Sequence, residues 1–375
     1  MTSINHQGAA GDLAIVFDNQ RKFAAIGLYD PDSPIAIRIL HVGRPVQIDQ
    51  HFWTERVMAA AARRAPLVAA EPGARPAYRL INGENDAMPG LVVDRYADTL
   101  VIKLYSPVWF PHLAVLVDAL LAATGAGSVV LRLARNVAAG QTFGLADGDV
   151  IAGHLDDAPV RFTEGGLVFE ADVRRGQKTG HFLDQRANRL RVDRLAEGCD
   201  VLDVFASTGG FSVHAAAGGA RSVHSVDLSA PTLAAAKANM ALNIDRSEVA
   251  ACVHTTEVGD AFEVMSTLAR SGAGYDVVVI DPPSFAQKQS SVEGAVRAYA
   301  RLTHLALPLL RPGGVLVQAS CSSRVSADQF FAAVLGAADV AGDQLDELAR
   351  TGADLDHPVT FPEGAYLKAG FWRVR

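Results

Sequence analysis

Two rhythms of apolar residues divide this chain. Up to about residue 70, short apolar runs alternate with turn residues. Residues 13–17 and 23–28 read as strands, Tyr29-Asp-Pro-Asp-Ser-Pro34 as a turn, and residues 35–40 as a strand with one wet face. Together they predict a small β-barrel, followed by an amphipathic helix over residues 52–64. Glu71-Pro-Gly-Ala-Arg-Pro76 has the punctuation of a linker. Strands are next expected at residues 78–81, 91–95 and 99–104, a helix at 111–124 and a strand at 128–133. That order describes an α+β module. Residues 165–173 read as a last strand before the second rhythm begins.

From about residue 190 strands and helices alternate. Strands are expected at residues 200–205, 222–227, 249–255, 275–281 and 314–319, with helices at 231–243 and 295–310 among those between them. The unbroken apolar run Val277-Val-Val-Ile280 suits a strand covered on both faces, as in a doubly wound parallel sheet. The expected fold class is therefore α/β, with a Rossmann-like domain over 166–375, a small β-barrel over 1–70 and an α+β middle domain over 71–165.

Composition narrows the classes. At 375 residues and 49% hydrophobic, the chain is long enough for two or three cores. No apolar run reaches spanning length, because Asp118 interrupts the richest one at residues 113–123, so no membrane is expected. Met1 to Asp12 lacks the pattern of a signal peptide. Cys199, Cys252 and Cys321 are far apart and outside any CxxC pattern, which argues against disulfides and metal and for a cytoplasmic protein with free thiols. A net charge of −7 speaks against a general nucleic-acid binder. A local basic strip remains: Arg174, Arg175, Lys178, Arg186, Arg189, Arg191 and Arg194 face only Asp184 and Asp193. Such a strip can hold one phosphate backbone, although charge alone favours a solvated helix face.

The candidate chemistry lies where parallel strands end. After residues 201–205 the chain turns through Ala206-Ser-Thr-Gly-Gly210 into a helix, with glycines that let backbone approach a ligand. Phe205 and Ser207 stand where a full dinucleotide fingerprint would carry glycine, so the loop suits a cofactor with an amino-acid tail better than a pyrophosphate. Asp227 ends the next strand, where a carboxylate can accept ribose hydroxyls, with Leu228 beside it. Asp260 follows the third strand and could meet an adenine amine; a lone aspartate there is usually a helix cap, but three such strand-end carboxylates in succession favour the cofactor reading. Asp281-Pro-Pro-Ser-Phe285 closes the fourth strand. Its prolines fix extended backbone, Asp281 can bond a planar amide-like edge, and Phe285 could stack on a ring. Cys321 follows the fifth strand between Ser320 and Ser322, whereas Cys199 and Cys252 read as inert core thiols. Together these residues point to methyl transfer from S-adenosylmethionine to a base.

Gly176-Gln-Lys-Thr-Gly180, Phe182-Leu-Asp-Gln-Arg186, Asp203-Val-Phe205, Thr208-Gly-Gly-Phe-Ser212, Asp281-Pro-Pro-Ser-Phe285 and Ser320-Cys-Ser322 resemble the bacterial large-subunit ribosomal RNA cytosine-C5 methyltransferases. Glu84-Asn-Asp86 with Pro89 to Arg95, and Ser33 to Arg38, extend the resemblance towards the N-terminus. It implies a PUA domain, a middle α+β domain and a class I methyltransferase domain. It also implies S-adenosylmethionine as cofactor and large-subunit ribosomal RNA as partner, with a homodimer left open. Cys321 would attack carbon 6 of the base and Asp281 would hold its N3/N4 edge. The cofactor would meet Phe205, Ala206, Ser207, Thr208, Gly209, Asp227, Leu228, Asp260, Gln185, Asp281 and Pro282; the RNA would meet Lys178, Arg186, Pro283 and Phe285. Gln177 and Asp184 would help to close over either ligand. Ser284 stands where the family commonly has lysine, His181 where an aromatic is common, and the N-terminal domain looks shortened. Two other readings stay open. One is methylation of a guanine N2 or adenine N6 amine, with Asp281-Pro-Pro polarising the amine and Cys321 structural. The other is a non-enzymatic RNA-binding relative.

Overall fold

A computed structural model describes residues 8–71, 73–286 and 288–375. Residues 1–7 of the stretch read for a signal peptide, and Pro72 of the candidate linker, lie outside the described residues. The chain forms two compact units. One comprises Met1–Gly166, Ala171–Leu183 and Leu355–Pro358; the other comprises Leu167–Glu170, Asp184–Asp354 and Val359–Arg375.

The first unit opens with three antiparallel strands, β1 (Leu13–Phe17), β2 (Phe23–Tyr29) and β3 (Ile37–Val42), where the alternating pattern predicted a barrel. Helix α1 (Gln50–Ala70) begins earlier and ends later than the periodicity implied, because the Asp49 side chain accepts from Phe52 N and caps it. Strands β4 (Ala77–Asn82), β5 (Leu91–Tyr96), β6 (Thr99–Leu104), α2 (Leu113–Thr124), β7 (Ser128–Leu133), α3 (Arg135–Ala138), β8 (Val150–Gly153) and β9 (Val160–Glu164) follow. They build a five-stranded sheet in the order β4-β5-β6-β7-β8, parallel only at β6–β7. Strands β8 and β9 had no clear apolar signal.

One buried cluster joins Leu28 of β2, Leu40 of β3, Trp53 of α1, Trp109 and the sheet residues Leu91, Leu100 and Leu131. The N-terminal strands therefore share a core with the middle sheet. Residues 107–124 are apolar enough by length and composition to cross a membrane. Here they form a 3₁₀ turn and α2, and Val108, Trp109, Leu113, Leu116 and Leu120 pack into that core.

The second unit takes in most of β10 (Leu167–Ala171), then α4 (Arg186–Asp193), β11 (Asp200–Val204), α5 (Gly210–Ala217), β12 (Ser222–Asp227), α6 (Ala230–Ala241), α7 (Ser247–Ala251), β13 (Val253–Val258), α8 (Ala261–Arg270), β14 (Tyr275–Ile280), α9 (Val292–Ala306), β15 (Leu310–Ser320), α10 (Ala327–Ala341), β16 (Leu345–Thr351) and β17 (Lys368–Val374). The sheet order is β13-β12-β11-β14-β15-β17-β16. Its first five strands are parallel, and β17 inserts antiparallel beside β15. Three expectations need correction. The strand expected from residue 249 starts at Val253, because residues 247–251 form a helical turn that buries Val249. The helix expected to reach Leu310 is α-helical to Ala306 and tightens to a 3₁₀ turn over Leu307–Leu309, where Pro308 has no N–H to donate; Leu310 opens β15. The final pair β16–β17 was not anticipated.

Candidate active site

Strand β11 lies between β12 and β14, so the chain leaves it in opposite directions along the sheet. Such a switch point opens a crevice beyond the carboxyl ends of the strands. The first wall is the turn after β11. Phe205, Ser207 and Gly209 have φ of 64°, 50° and 77°. A phenylalanine and a serine in the left-handed region are strained, and such strain persists where surrounding structure imposes it. Gly209 has a second constraint: a Cβ there would lie 2.7 Å from Ala236 Cβ of α6. Ala206 N donates to Val226 O at 3.0 Å, and Asn239 Nδ2 of α6 donates to Thr208 O at 2.9 Å. Asn239 Oδ1 accepts from Glu170 N of β10 at 2.8 Å, so one buried amide ties the turn to β10.

Asp227 ends β12 and organises this turn. Its Oδ2 accepts from Ser207 N at 2.9 Å and its Oδ1 from Ser229 N at 2.9 Å. Beneath the turn Asp203 is 1% exposed. Ser212 Oγ donates to its Oδ2 at 2.6 Å, while Oδ1 is buried with no hydrogen-bond partner. Burial pushes this carboxyl up to about 6 against the pull of the Ser212 bond, and the charge of Asp227 adds to the rise. Ser212 continues through Ser225 Oγ (2.7 Å) to His254 Nε2 (2.8 Å), whose own titration burial lowers to about 4.

The second wall comes from β14 and β15, neighbours in the sheet. Gln185 Nε2 donates to Asp281 Oδ1 at 2.8 Å. Asn188 Nδ2 donates to Gln185 Oε1 at 2.5 Å, and Thr351 Oγ1 to Asn188 Oδ1 at 2.6 Å. This relay holds the Asp281 carboxylate from behind. Cys321 Sγ lies 3.8 Å from Pro282 O, so thiol and Asp-Pro-Pro loop meet. Below them Ser322 Oγ contacts Ser284 Oγ at 3.0 Å and Tyr299 OH at 3.1 Å, and Ser320 Oγ donates to Tyr299 OH at 2.8 Å.

The structure thus brings together Gln185, Asp281, Pro282 and Cys321, and separately the 205–209 turn with Asp227. Other expected residues have more local roles. Leu228 is 73% exposed beside Asp227. Asp260 Oδ1 caps α8, accepting from Phe262 N at 2.9 Å and Glu263 N at 3.3 Å, the commoner reading of that residue. Phe285 is half-buried with its ring 5.3 Å from that of Tyr299, while Pro283 is exposed. Arg186 is buried and bonds Asp354 through Nε (3.2 Å) and Nη2 (2.8 Å), so α4 is not the solvated face that charge alone favoured. Lys178 belongs to the first unit, exposed, with its ammonium 4.3 Å over the Phe182 ring.

The three thiols differ as the sheet topology requires. Cys199 and Cys252 precede β11 and β13, at the opposite edge from the turn, and burial raises both, Cys252 to about 11. Only Cys321 follows a strand. Asp203, Asn188, Asn239 and Lys368 were missed as site residues. Asp203 and Lys368 carried one signal, an ionisable side chain directly beside apolar strand residues.

Comparisons with known proteins identify the family and the fold. A family model described as S-adenosylmethionine-dependent methyltransferase matches residues 147–348, and one described as a PUA-like domain matches residues 2–41. A Ribosomal RNA large subunit methyltransferase of Deinococcus radiodurans is 49% identical over 99% of this chain and 90% of its own length. A Ribosomal RNA large subunit methyltransferase I of Shewanella denitrificans is 36% identical over 97% and 91%. Among solved structures, a candidate methyltransferase complexed with SAH superposes with a TM-score of 0.83 at 22% identity, covering 98% of this chain and 93% of its own. A Streptococcus mutans chain described as a candidate SAM-dependent methyltransferase gives 0.82 at the same identity and coverage.

Proposed function

The chain belongs to the large-subunit ribosomal RNA methyltransferase family and is an S-adenosylmethionine-dependent enzyme, and from that premise we propose that it methylates carbon 5 of a cytosine in large-subunit ribosomal RNA. The site fits the cofactor on two observations. Asp203 keeps a buried carboxylate oxygen without a partner, which suits the positive amine of an amino-acid tail. The strained turn at Phe205 to Gly209 presents backbone, and Asp227 stands at the strand end where ribose hydroxyls are taken. In this reading Phe205, Ala206, Ser207, Thr208, Gly209 and Asp227 hold the cofactor. Leu228 covers its exposed ring, and Pro282 shapes the side towards the substrate. When bound, the cofactor supplies an electrophilic methyl group.

The remaining work falls to Cys321 and Asp281. Carbon 5 of cytosine is a poor nucleophile. Attack by the Cys321 thiolate forms a sulfur–carbon bond at carbon 6 and moves electron density to carbon 5. Asp281, held by Gln185, takes the N3/N4 edge and steadies the adduct. After carbon 5 is methylated a base takes its proton, and the sulfur–carbon bond breaks to restore the aromatic ring and release the Cys321 thiolate. The base has to leave any stack to reach this crevice, so a single-stranded or loosened segment is the expected target. A cytoplasmic site of action follows from that substrate.

The observation that carries this reading is the 3.8 Å contact of Cys321 Sγ with Pro282 O, at the ends of adjacent strands. The test is nucleoside mass spectrometry on unmodified large-subunit rRNA treated with cofactor and wild type or Cys321→Ala. 5-Methylcytidine from the wild type alone supports it. A methylated guanine or adenine that survives the substitution moves the chemistry to an amine and makes Cys321 structural.

A further inference from the structure

We propose that Lys368 is a positioning residue for the nucleophile: a buried cation, fixed beneath the Cys321 loop, that favours the thiolate. The inference rests on reading Cys321 as the nucleophile. Its basis is geometric. Lys368 opens β17 and pairs in register with Ser320, the residue before Cys321. The residue is 4% exposed. Its Nζ donates to Ser322 O at 2.5 Å, the residue after Cys321, and to Val325 O at 2.7 Å. Register partner and first acceptor thus bracket the cysteine. Both acceptors are neutral carbonyls, so no carboxylate cancels the ammonium charge through these bonds.

Lys368 and Tyr299 are coupled to the charge of Cys321, and Asp281 and Arg324 lie on the loops beside it. Asp281 approaches from the end of β14 and opposes thiolate formation. Tyr299 approaches from α9; burial raises its phenol, so it is neutral at physiological pH. Arg324, on the same loop, is exposed and screened by water. Lys368 is the buried cation among them. Burial draws its ammonium down to about 8, and the Cys321 thiolate partly offsets that fall. By reciprocity, the lysine cation favours the thiolate by the same Coulombic interaction. Its two carbonyl bonds also prevent the loop from turning the sulfur away.

The experiment is a pH profile of alkylation at Cys321 by iodoacetamide, resolved by peptide mass spectrometry, with Cys199 and Cys252 as internal references. It needs neither RNA nor cofactor, so it is independent of whether the proposed product is right. In Lys368→Met the Cys321 profile should move up by ~1 unit, giving about tenfold slower alkylation near pH 7, while the other two cysteines keep their profiles. An unmoved Cys321 profile in a folded Lys368→Met protein overturns the proposal. If that variant does not fold, the wild type decides by NMR of isotope-labelled lysine side chains. Capping Cys321 with methyl methanethiosulfonate removes the anion, and the Lys368 ammonium should then titrate at lower pH. An unchanged Lys368 titration overturns the proposal just as clearly. Loss of the nucleophile reading would show elsewhere, as methylcytidine still formed by Cys321→Ala.

Discussion

The two sheets of this molecule bury charge in opposite ways. In the first unit two prominent buried arginine–aspartate pairs are fully bonded, although Glu71 Oε2 and His357 Nε2 are buried without a partner. Arg64, 0% exposed, forks onto Asp86 at 2.7 and 2.6 Å and also donates to Arg79 O and Asp356 O. Arg79 forks onto Asp94 at 2.8 and 3.1 Å, and Thr179 Oγ1 adds a third bond to that carboxylate. In the second unit the buried ionisable groups near the strand ends are left short. Asp203 has an oxygen with no partner, and the Lys368 ammonium donates to the carbonyls of Ser322 and Val325. Complete pairing serves the fold, whereas incomplete pairing leaves interaction energy for a ligand or a reacting group. The difference lies in how the buried arginines of the first unit and Asp203 and Lys368 of the second are satisfied.

The largest effect on stability is expected from Asp86→Ala. It strands the buried Arg64 guanidinium and should cost ~3–5 kcal/mol in denaturant unfolding, with cofactor affinity per folded molecule unchanged. A collapse of affinity in folded protein would erase the distinction. Asp281→Ala should do the reverse. A loss of ~10²–10³ in kcat is expected, measured by single-turnover methylation, with little change in melting temperature.

Asp203→Asn tests the unpaired acid. Because folding raises its carboxyl from 3.8 to about 6, its favourable share of stability is complete below the lower value and is lost as pH rises through the upper one. The wild type should therefore lose up to ~3 kcal/mol across that window, and the asparagine variant should not. Thermal melts from pH 4 to pH 7.5 check this, and calorimetry should show weaker cofactor binding by the variant. Smallest is Ser284→Ala, which removes one hydroxyl bond to Ser322 and should cost ~0.5–1.5 kcal/mol.

The parts of the site that sequence made legible are those built by one strand and the loop after it. Asp227, Asp281 and Cys321 each follow or end an apolar run, and the alternation of strands and helices places such ends on one edge. Gln185 was placed near the cofactor by family resemblance, yet its visible bond is to Asp281, 96 residues away. Phe285 looked available for stacking because an aromatic after prolines carries no sign of what it packs on; its neighbour Tyr299 comes from α9. The strand expected at residue 249 failed because a single valine can be buried by a helical turn as well as by a strand.

Amino-acid order by itself determined the α/β class, the turn after β11 and the strand-end residues, because helix and strand periods and backbone-fixing glycines and prolines act over a few residues. Tertiary structure alone decided which of those residues meet. The insertion of β17 beside β15 puts Lys368 under Cys321, and the adjacency of β14 and β15 joins Cys321 to Pro282. Such partnerships depend on strand order and register, which arise only when the buried faces of distant segments are covered together.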